Sequence, residues 1–171
     1  INNYLIHYKT GEPIPQDLVT KIKNASTFNE GFKTTEYMSS AIMDLLYHTT
    51  DPAKIEPDSF ERDELTRLGM PKEVVMRHRT TQFGHIFSGE GYAAAYYGYM
   101  WAEVLTSDAA EAFAEAPGGF YDKEVGDRLV KYLFSVRNAM DPEEAYRKFR
   151  GRDAKVEALM RDRGFPVTSS D

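Results

Sequence analysis

One histidine and three tyrosines are the residues of this sequence whose types and spacing best suit work on a polar substrate. Tyr92, Tyr96 and Tyr99 are spaced four and then three. On a helix, at about 100° per residue, these positions lie within about 60° of one another. That face presents a column of phenols, which are neutral donors at neutral pH. His85 stands before them, across a segment made flexible by Gly89 and Gly91. The chemistry open to such a set is hydrogen-bond donation to a substrate carbonyl or to its developing oxyanion. The same stripe would also fill a core, and spacing alone favours that, because aromatic faces of buried helices are common. Tyr97 and Trp101 fall on another side and suit packing, while the alanines at 93–95 allow close approach.

Other constellations carry less. Arg77-His78-Arg79 is a small basic cluster that could meet a peptide carboxylate, with Arg79 as a substrate-binding candidate. Such clusters more often pair with local acids at the surface. Zinc peptidases place two histidines one helical turn apart with a glutamate between them. The four histidines here are His7, His48, His78 and His85, and no two are four apart. No metal ligands are therefore expected within the chain, and His7 and His48 read as solvated or hydrogen-bonded side chains. Cysteine is absent, which removes disulfides and thiolate chemistry and suits a cytoplasmic protein. Nothing resembles a nucleophile elbow or a phosphate-binding glycine loop.

These residues need elements to position them. The chain has 171 residues, 42% of them hydrophobic, enough for one domain with its own core. The net charge of -6 argues against nucleic acid as a partner, since phosphates are held by clustered Lys and Arg. No apolar run reaches membrane-spanning length and no signal peptide is visible. Apolar periodicity predicts helices over Asp17–Ser26, Phe32–Thr50 and Asp58–Leu68, with one more turn at Pro71–Met76. In the second helix Tyr37, Ala41, Leu45 and His48 form the inward stripe, flanked by Met38, Ile42 and Leu46. In the third, Phe60, Leu65 and Leu68 point inward and Gly69 is the stop.

Thr80–Gly91 reads as a loop and Tyr92–Thr106 as a helix. Ser107-Asp108 then caps a helix through Glu115. Lys123–Arg137, a helix capped by Asp141 with Pro142 at its first position, and Ala154–Arg163 ending at Gly164 complete the set. Thr168–Asp171 reads as a frayed tail. No alternating run demands a sheet, although a short strand near Ile1–His7 stays open. The expectation is a single all-α domain over residues 1–171, with about seven or eight helices.

The segment His85-Ile86-Phe87, followed by Gly91-Tyr92-Ala93-Ala94 and Tyr96-Tyr97-Gly98-Tyr99-Met100-Trp101, resembles the signature loop and helix of the thimet oligopeptidase and peptidyl-dipeptidase family of zinc metallopeptidases. The likeness runs in order along nearly the whole chain. It includes Tyr8–Pro15, Phe28–Phe32 continuing to Asp44 and His48, Gly69-Met70-Pro71 through Arg77-His78-Arg79, and Phe149–Asp153 to Arg163-Gly164.

The resemblance implies a mostly helical, two-lobed shell around a deep channel, of which this chain is the C-terminal portion of the catalytic domain. The family's zinc-binding HExxH helix and third glutamate ligand would lie upstream of everything present here. That agrees with a chain starting at Ile1 rather than Met, as a piece of a longer reading frame does. It implies that His85 and Tyr99 are catalytic, as oxyanion donors. Tyr92, Tyr96, Gly89, Gly91 and Arg79 would bind substrate, the glycines letting the loop close over it.

Zinc would be the cofactor of the full-length enzyme only. Short peptides and the missing N-terminal part would be the partners, with no nucleic acid and no membrane, and the chain alone would be inactive. The alanine-rich stretch is closer to the peptidyl-dipeptidase branch, in which Arg77 or Arg79 would meet a terminal carboxylate. The competing reading is a non-enzymatic helical interaction module derived from the peptidase fold.

Overall fold

A computed structural model describes residues 4–167. Among these, all regular structure is helical, as the all-α expectation requires, and the nearest thing to a sheet is an isolated antiparallel bridge between Ile6 and Pro13. The expected tail Thr168–Asp171 and the first residues of the Ile1–His7 segment lie outside the described residues.

Helix α1, Gln16–Ser26, starts directly after Pro15. Helix α2, Glu30–Thr49, is the long central element. Its buried line is Ser40, Met43, Asp44 and Tyr47, the i, i+3, i+4, i+7 spacing of one helical face. This corrects the predicted stripe. Met38 and Leu45 are exposed, whereas the polar Ser40 and Asp44 are completely buried. Apolarity alone did not orient the helix, because Ser40 bonds the Glu36 carbonyl within α2 and distant backbone amides satisfy Asp44.

Helix α3, Pro57–Arg67, opens on Glu56, whose carboxylate accepts from the Ser59 amide, and is followed by Gly69 at φ 74°. Phe60 and Leu65 pack inward as expected, but Leu68 is exposed. The segment read as a loop, Thr80–Gly91, is more ordered than that. It holds a 3-10 turn at Thr80–Gln82, the single-turn helix α4 at Gly84–Phe87, and a second 3-10 turn at Glu90–Tyr92. Phe83 and Ile86 are almost wholly buried and anchor it.

Helix α5 spans Gly98–Glu115. The predicted helix from Tyr92 is therefore wrong over its first residues, and Ser107-Asp108 is no cap but the middle of a continuous helix. Asp108 is fully buried there. Helix α6, Lys123–Leu129, capped by the Asp122 carboxylate on the Val125 amide, runs into a π-helical turn at Val130–Phe134 and stops short of Arg137. Helix α7, Pro142–Arg150, has the expected cap: Asp141 accepts from the amides of Glu143 and Glu144. Helix α8 is Val156–Asp162. Beyond it Gly164 turns at φ 72°, where a Cβ would press on Thr27 at 3.1 Å.

Two apolar clusters result. The first joins Ala41, Met43 and Tyr47 of α2 to Met76, Phe83, Ile86 and Tyr96. The second joins Ala112 of α5 to Val125 and Phe149. A charged hub ties α5 to α7. Asp108 accepts from Arg152 at 2.7 and 3.1 Å, from the Tyr146 hydroxyl at 2.7 Å and from Arg150 at 3.3 Å. Burial alone would raise the Asp108 pKa. The hydrogen bonds from Arg152 and Tyr146 and the charges of Arg152 and Arg150 outweigh it and hold the pKa below its ordinary value. Arg161 grips Glu111 through two bonds, at 2.7 and 2.8 Å, and so fixes α8 to α5.

An open apolar groove of about 860 Å³ runs past Trp101, Leu105, Phe113, Leu133 and Phe134. Tyr97 and Trp101, expected to pack, are both exposed. Among the described residues no helix is long and apolar enough to cross a membrane.

Removing the Asp108 carboxylate takes a partner from Tyr146 and Arg152, while Arg150 keeps two bonds to Glu115. Asp108→Ala is expected to cost about 1–3 kcal/mol at neutral pH. The depressed carboxylate contributes its stability above the ordinary carboxylate pKa and loses it as pH falls through the folded value. The gap between wild type and Asp108→Ala should therefore shrink in denaturant titrations at acid pH. A gap that is absent, or the same at both pH values, would show that the hub does not stabilise the fold.

Candidate functional site

The chain between α4 and α5 brings His85, Tyr92 and Tyr99 together, but not by the helical periodicity that singled them out. After the 3-10 turn at Glu90–Tyr92 the backbone folds through a non-helical segment, with Ala94 in the left-handed region at φ 56°. A left-handed alanine costs of order 1–3 kcal/mol, so the surroundings must impose it. The Ala95 amide reaches back to the Tyr92 carbonyl at 3.0 Å, and α5 begins at Gly98. This tight reversal lays the Tyr92 ring on the Tyr99 ring, 5.6 Å apart and within 8° of parallel.

His85 completes the group from α4. Its Nε2 lies 3.0 Å from the Tyr99 hydroxyl. Its ring meets those of Tyr92, Tyr96 and Tyr99 edge-on at 4.4, 5.3 and 5.7 Å. Exposure divides the tyrosines: Tyr92 and Tyr99 are 43% and 40% exposed, Tyr96 only 4%. Tyr96 is thus the floor, stacked on Tyr37 at 5.3 Å and met edge-on by Phe83 at 5.1 Å and His78 at 6.1 Å. Two phenols and an imidazole stand above it, open to solvent.

Helix α2 holds this segment from beneath. The buried Asp44 carboxylate accepts from the Ala94 amide at 3.0 Å and from the Tyr96 amide at 2.9 Å. His48 Nδ1 bonds the Asp44 backbone carbonyl at 2.8 Å and stands 2.9 Å from the carboxylate, and its ring stacks on Phe87, two residues after His85. Two turns earlier in α2, the Tyr37 hydroxyl donates to the Tyr96 carbonyl at 2.6 Å and accepts from the Met100 amide at 3.3 Å. Asp44, Tyr37 and His48 were not among the predicted site residues.

The His85 segment has a similar anchor. The buried Glu61 of α3 accepts from the Thr80 amide at 2.9 Å and hydroxyl at 2.6 Å, and Arg79 pairs with its other oxygen at 2.5 Å. Arg79 keeps a half-exposed guanidinium while tied to Glu61. Arg77 is exposed beside it, and its charge, after burial, is the next cause that lowers the His78 pKa. Gly89 is fully extended, and a Cβ at Gly89 or Gly91 would meet nothing within 4 Å. Neither position needs glycine in this conformation. Among the described residues no three His, Asp or Glu side chains group to hold a metal ion, so the residues present do not fit a zinc site.

The sequence matches the model of Peptidase family M3 over residues 1–165. It is 35% identical over 167 residues to a dipeptidyl carboxypeptidase of Escherichia coli (strain K12), an alignment that covers 96% of this chain and 24% of that protein. It is 33% identical over 161 residues to an oligopeptidase A of Haemophilus influenzae, covering 92% and 23%. To a probable cytosolic oligopeptidase A of Arabidopsis thaliana it is 34% identical over 172 residues, covering 96% and 24%. The chain spans about a quarter of the length of these relatives.

The phenol of Tyr99 is pushed up to about 12, first by the neighbouring Tyr92 phenol, then by desolvation and the charges that nearby phenols would carry. It should stay protonated across the range in which ordinary tyrosines ionise, near pH 10. NMR of ring-labelled tyrosine should show no Tyr99 shift between pH 9 and 11 in the folded protein, and an earlier titration in Tyr92→Phe. Ionisation near pH 10 in the wild type would mean that the two phenols do not interact.

Proposed function

Because the chain belongs to peptidase family M3, we propose that it forms part of the catalytic region of a peptidase that hydrolyses short peptides, with His85, Tyr92 and Tyr99 as the groups that meet the scissile peptide. The observation that carries this is the pairing of exposure with order. Two stacked phenols with an imidazole on one hydroxyl stay open to solvent above a buried floor whose backbone is hydrogen-bonded to α2. A stripe serving only the core would be covered.

With Nε2–H donating to the Tyr99 oxygen, His85 fixes that phenol and leaves its proton free for the substrate. Tyr99 and Tyr92 then donate to the carbonyl oxygen, and their bonds strengthen as charge grows on it. A phenol with a raised pKa is suited to donating without losing its proton. Tyr96 supports both rings from below. Arg79, held by Glu61, offers a positioned guanidinium for a substrate carboxylate, and Gly89 and Gly91 give the loop freedom to close.

Zinc belongs to this proposal as the cofactor of the full-length enzyme, on ligands outside this chain. What these residues do is confined to the substrate backbone, so the isolated chain should be inactive. Residues 1–171 act as one helical unit, the rest of the polypeptide is its partner, and the location is cytoplasmic. A relative named cytosolic oligopeptidase A supports that location. Identity to a dipeptidyl carboxypeptidase and to oligopeptidases A is nearly equal, so neither removal of terminal dipeptides nor internal cleavage is favoured.

Hydrolysis of a quenched short peptide by the zinc-loaded full-length protein is the test. Tyr99→Phe should lower kcat by roughly tenfold to thousandfold, as loss of an oxyanion donor does, and the 171-residue chain alone should give no turnover. Inert full-length protein, or a silent Tyr99→Phe, would leave the tyrosines as packing and the chain as a binding scaffold.

A further inference from the structure

Asp44 has no path to a substrate. Its carboxylate is fully buried, and both oxygens are used inside the chain. Yet burying a carboxylate is costly unless each bond it makes is returned. Here those bonds reach two backbone amides about fifty positions away, at 3.0 and 2.9 Å, on either side of the non-helical reversal. They bracket Ala94, one of few non-glycine residues with positive φ among the described residues. The sequence around it, Ala93-Ala94-Ala95, is a run of strong helix formers. Left to local preference it would continue α5 backwards through Tyr92. On that continuous helix Tyr92 and Tyr99 would share a face but stand two turns apart, about 10 Å along the axis. In the reversal their rings stack at 5.6 Å.

We propose that Asp44 is a positioning residue of the peptide site: its carboxylate holds the Ala94 reversal and thereby places Tyr92 and Tyr99 against His85. This rests on the proposed role of Tyr99 and adds a cause for its placement. Its working parts are an anionic acceptor, two amides that only an unbent helix would otherwise use, and a strained alanine between them. His48, bonded to the Asp44 carbonyl, links this turn of α2 to the His85 side, since its ring stacks on Phe87. One buried group thus sets the relation between the two segments that carry the donors.

The test is a double-mutant cycle on the full-length, zinc-loaded protein, with kcat, KM and melting temperature measured for Asp44→Asn, Tyr99→Phe and the pair. Asn is near-isosteric but one of its two terminal atoms cannot accept, so one amide loses its partner. Asp44→Asn should lower kcat by roughly tenfold to a hundredfold, the scale of a donor displaced by about 1 Å, with a smaller change in KM. In the Tyr99→Phe background the same substitution should change kcat by less than about threefold, because the group it positions is gone.

Ala94→Gly added to Asp44→Asn should recover several-fold in kcat, since glycine takes positive φ without strain. A merely structural role would move the melting temperature and leave kcat intact below it, which overturns the proposal. So does an additive loss in the Tyr99→Phe background, or no recovery with Ala94→Gly. A silent Tyr99→Phe overturns the peptide-site reading and this proposal with it, whereas an impaired Tyr99→Phe with an additive Asp44→Asn overturns this proposal alone.

Discussion

The contact on which the site depends is that between the buried face of α2 and the backbone of the segment entering α5. Asp44 satisfies the amides of Ala94 and Tyr96, and Tyr37 satisfies the Tyr96 carbonyl and the Met100 amide. A backbone that leaves the helix near a core must find other partners for its polar groups. Here one helix supplies them from two positions two turns apart. The consequence is geometric: with the reversal fixed, the two phenols stack and His85 reaches one of them. The Tyr96 ring, wedged between Tyr37, Phe83 and His85, closes the space beneath.

The chain treats its other buried charges in the same way. Asp108 gathers Arg150, Arg152 and Tyr146, and Glu61 gathers Thr80 and Arg79. In each case the acid sits on a helix and its partners come from a distant segment. These acids therefore fix tertiary arrangement: Asp108 sets α7 against α5, Glu61 sets the approach to His85, and Asp44 sets the approach to Tyr99. Apolar packing supplies two clusters, but the joints between segments are ionic and hydrogen-bonded. The apolar groove past Trp101 and Phe134 contains none of the residues assigned to the substrate.

Local signals in the sequence were legible wherever the cause was local. Asp141-Pro142 announced its helix, Gly69 and Gly164 marked stops, and the all-α class followed from the 3.6-residue period. Where the cause was distant, local reading failed. Ser107-Asp108 has the form of a cap, yet Asp108 is drawn inside α5 by arginines more than forty positions on. The α2 face was misjudged because Asp44 and Ser40 count as polar, and nothing nearby shows that Asp44 is needed inside. Tyr92 and Tyr99 were identified through helical spacing that the structure does not use, and their meeting comes from Ala94 and its contacts with Asp44. The family likeness pointed to the same two tyrosines by motif, with no account of the reversal that brings their rings together.

The most direct measurement is a crystal structure of the full-length protein with a peptide analogue in which a phosphinate replaces the scissile carbonyl. The expected result places the Tyr99 or Tyr92 hydroxyl within about 3 Å of a phosphinate oxygen, with His85 still on Tyr99 and Asp44 still on the Ala94 and Tyr96 amides. A phosphinate bound where neither phenol can reach it would contradict the assignment of these residues to the peptide.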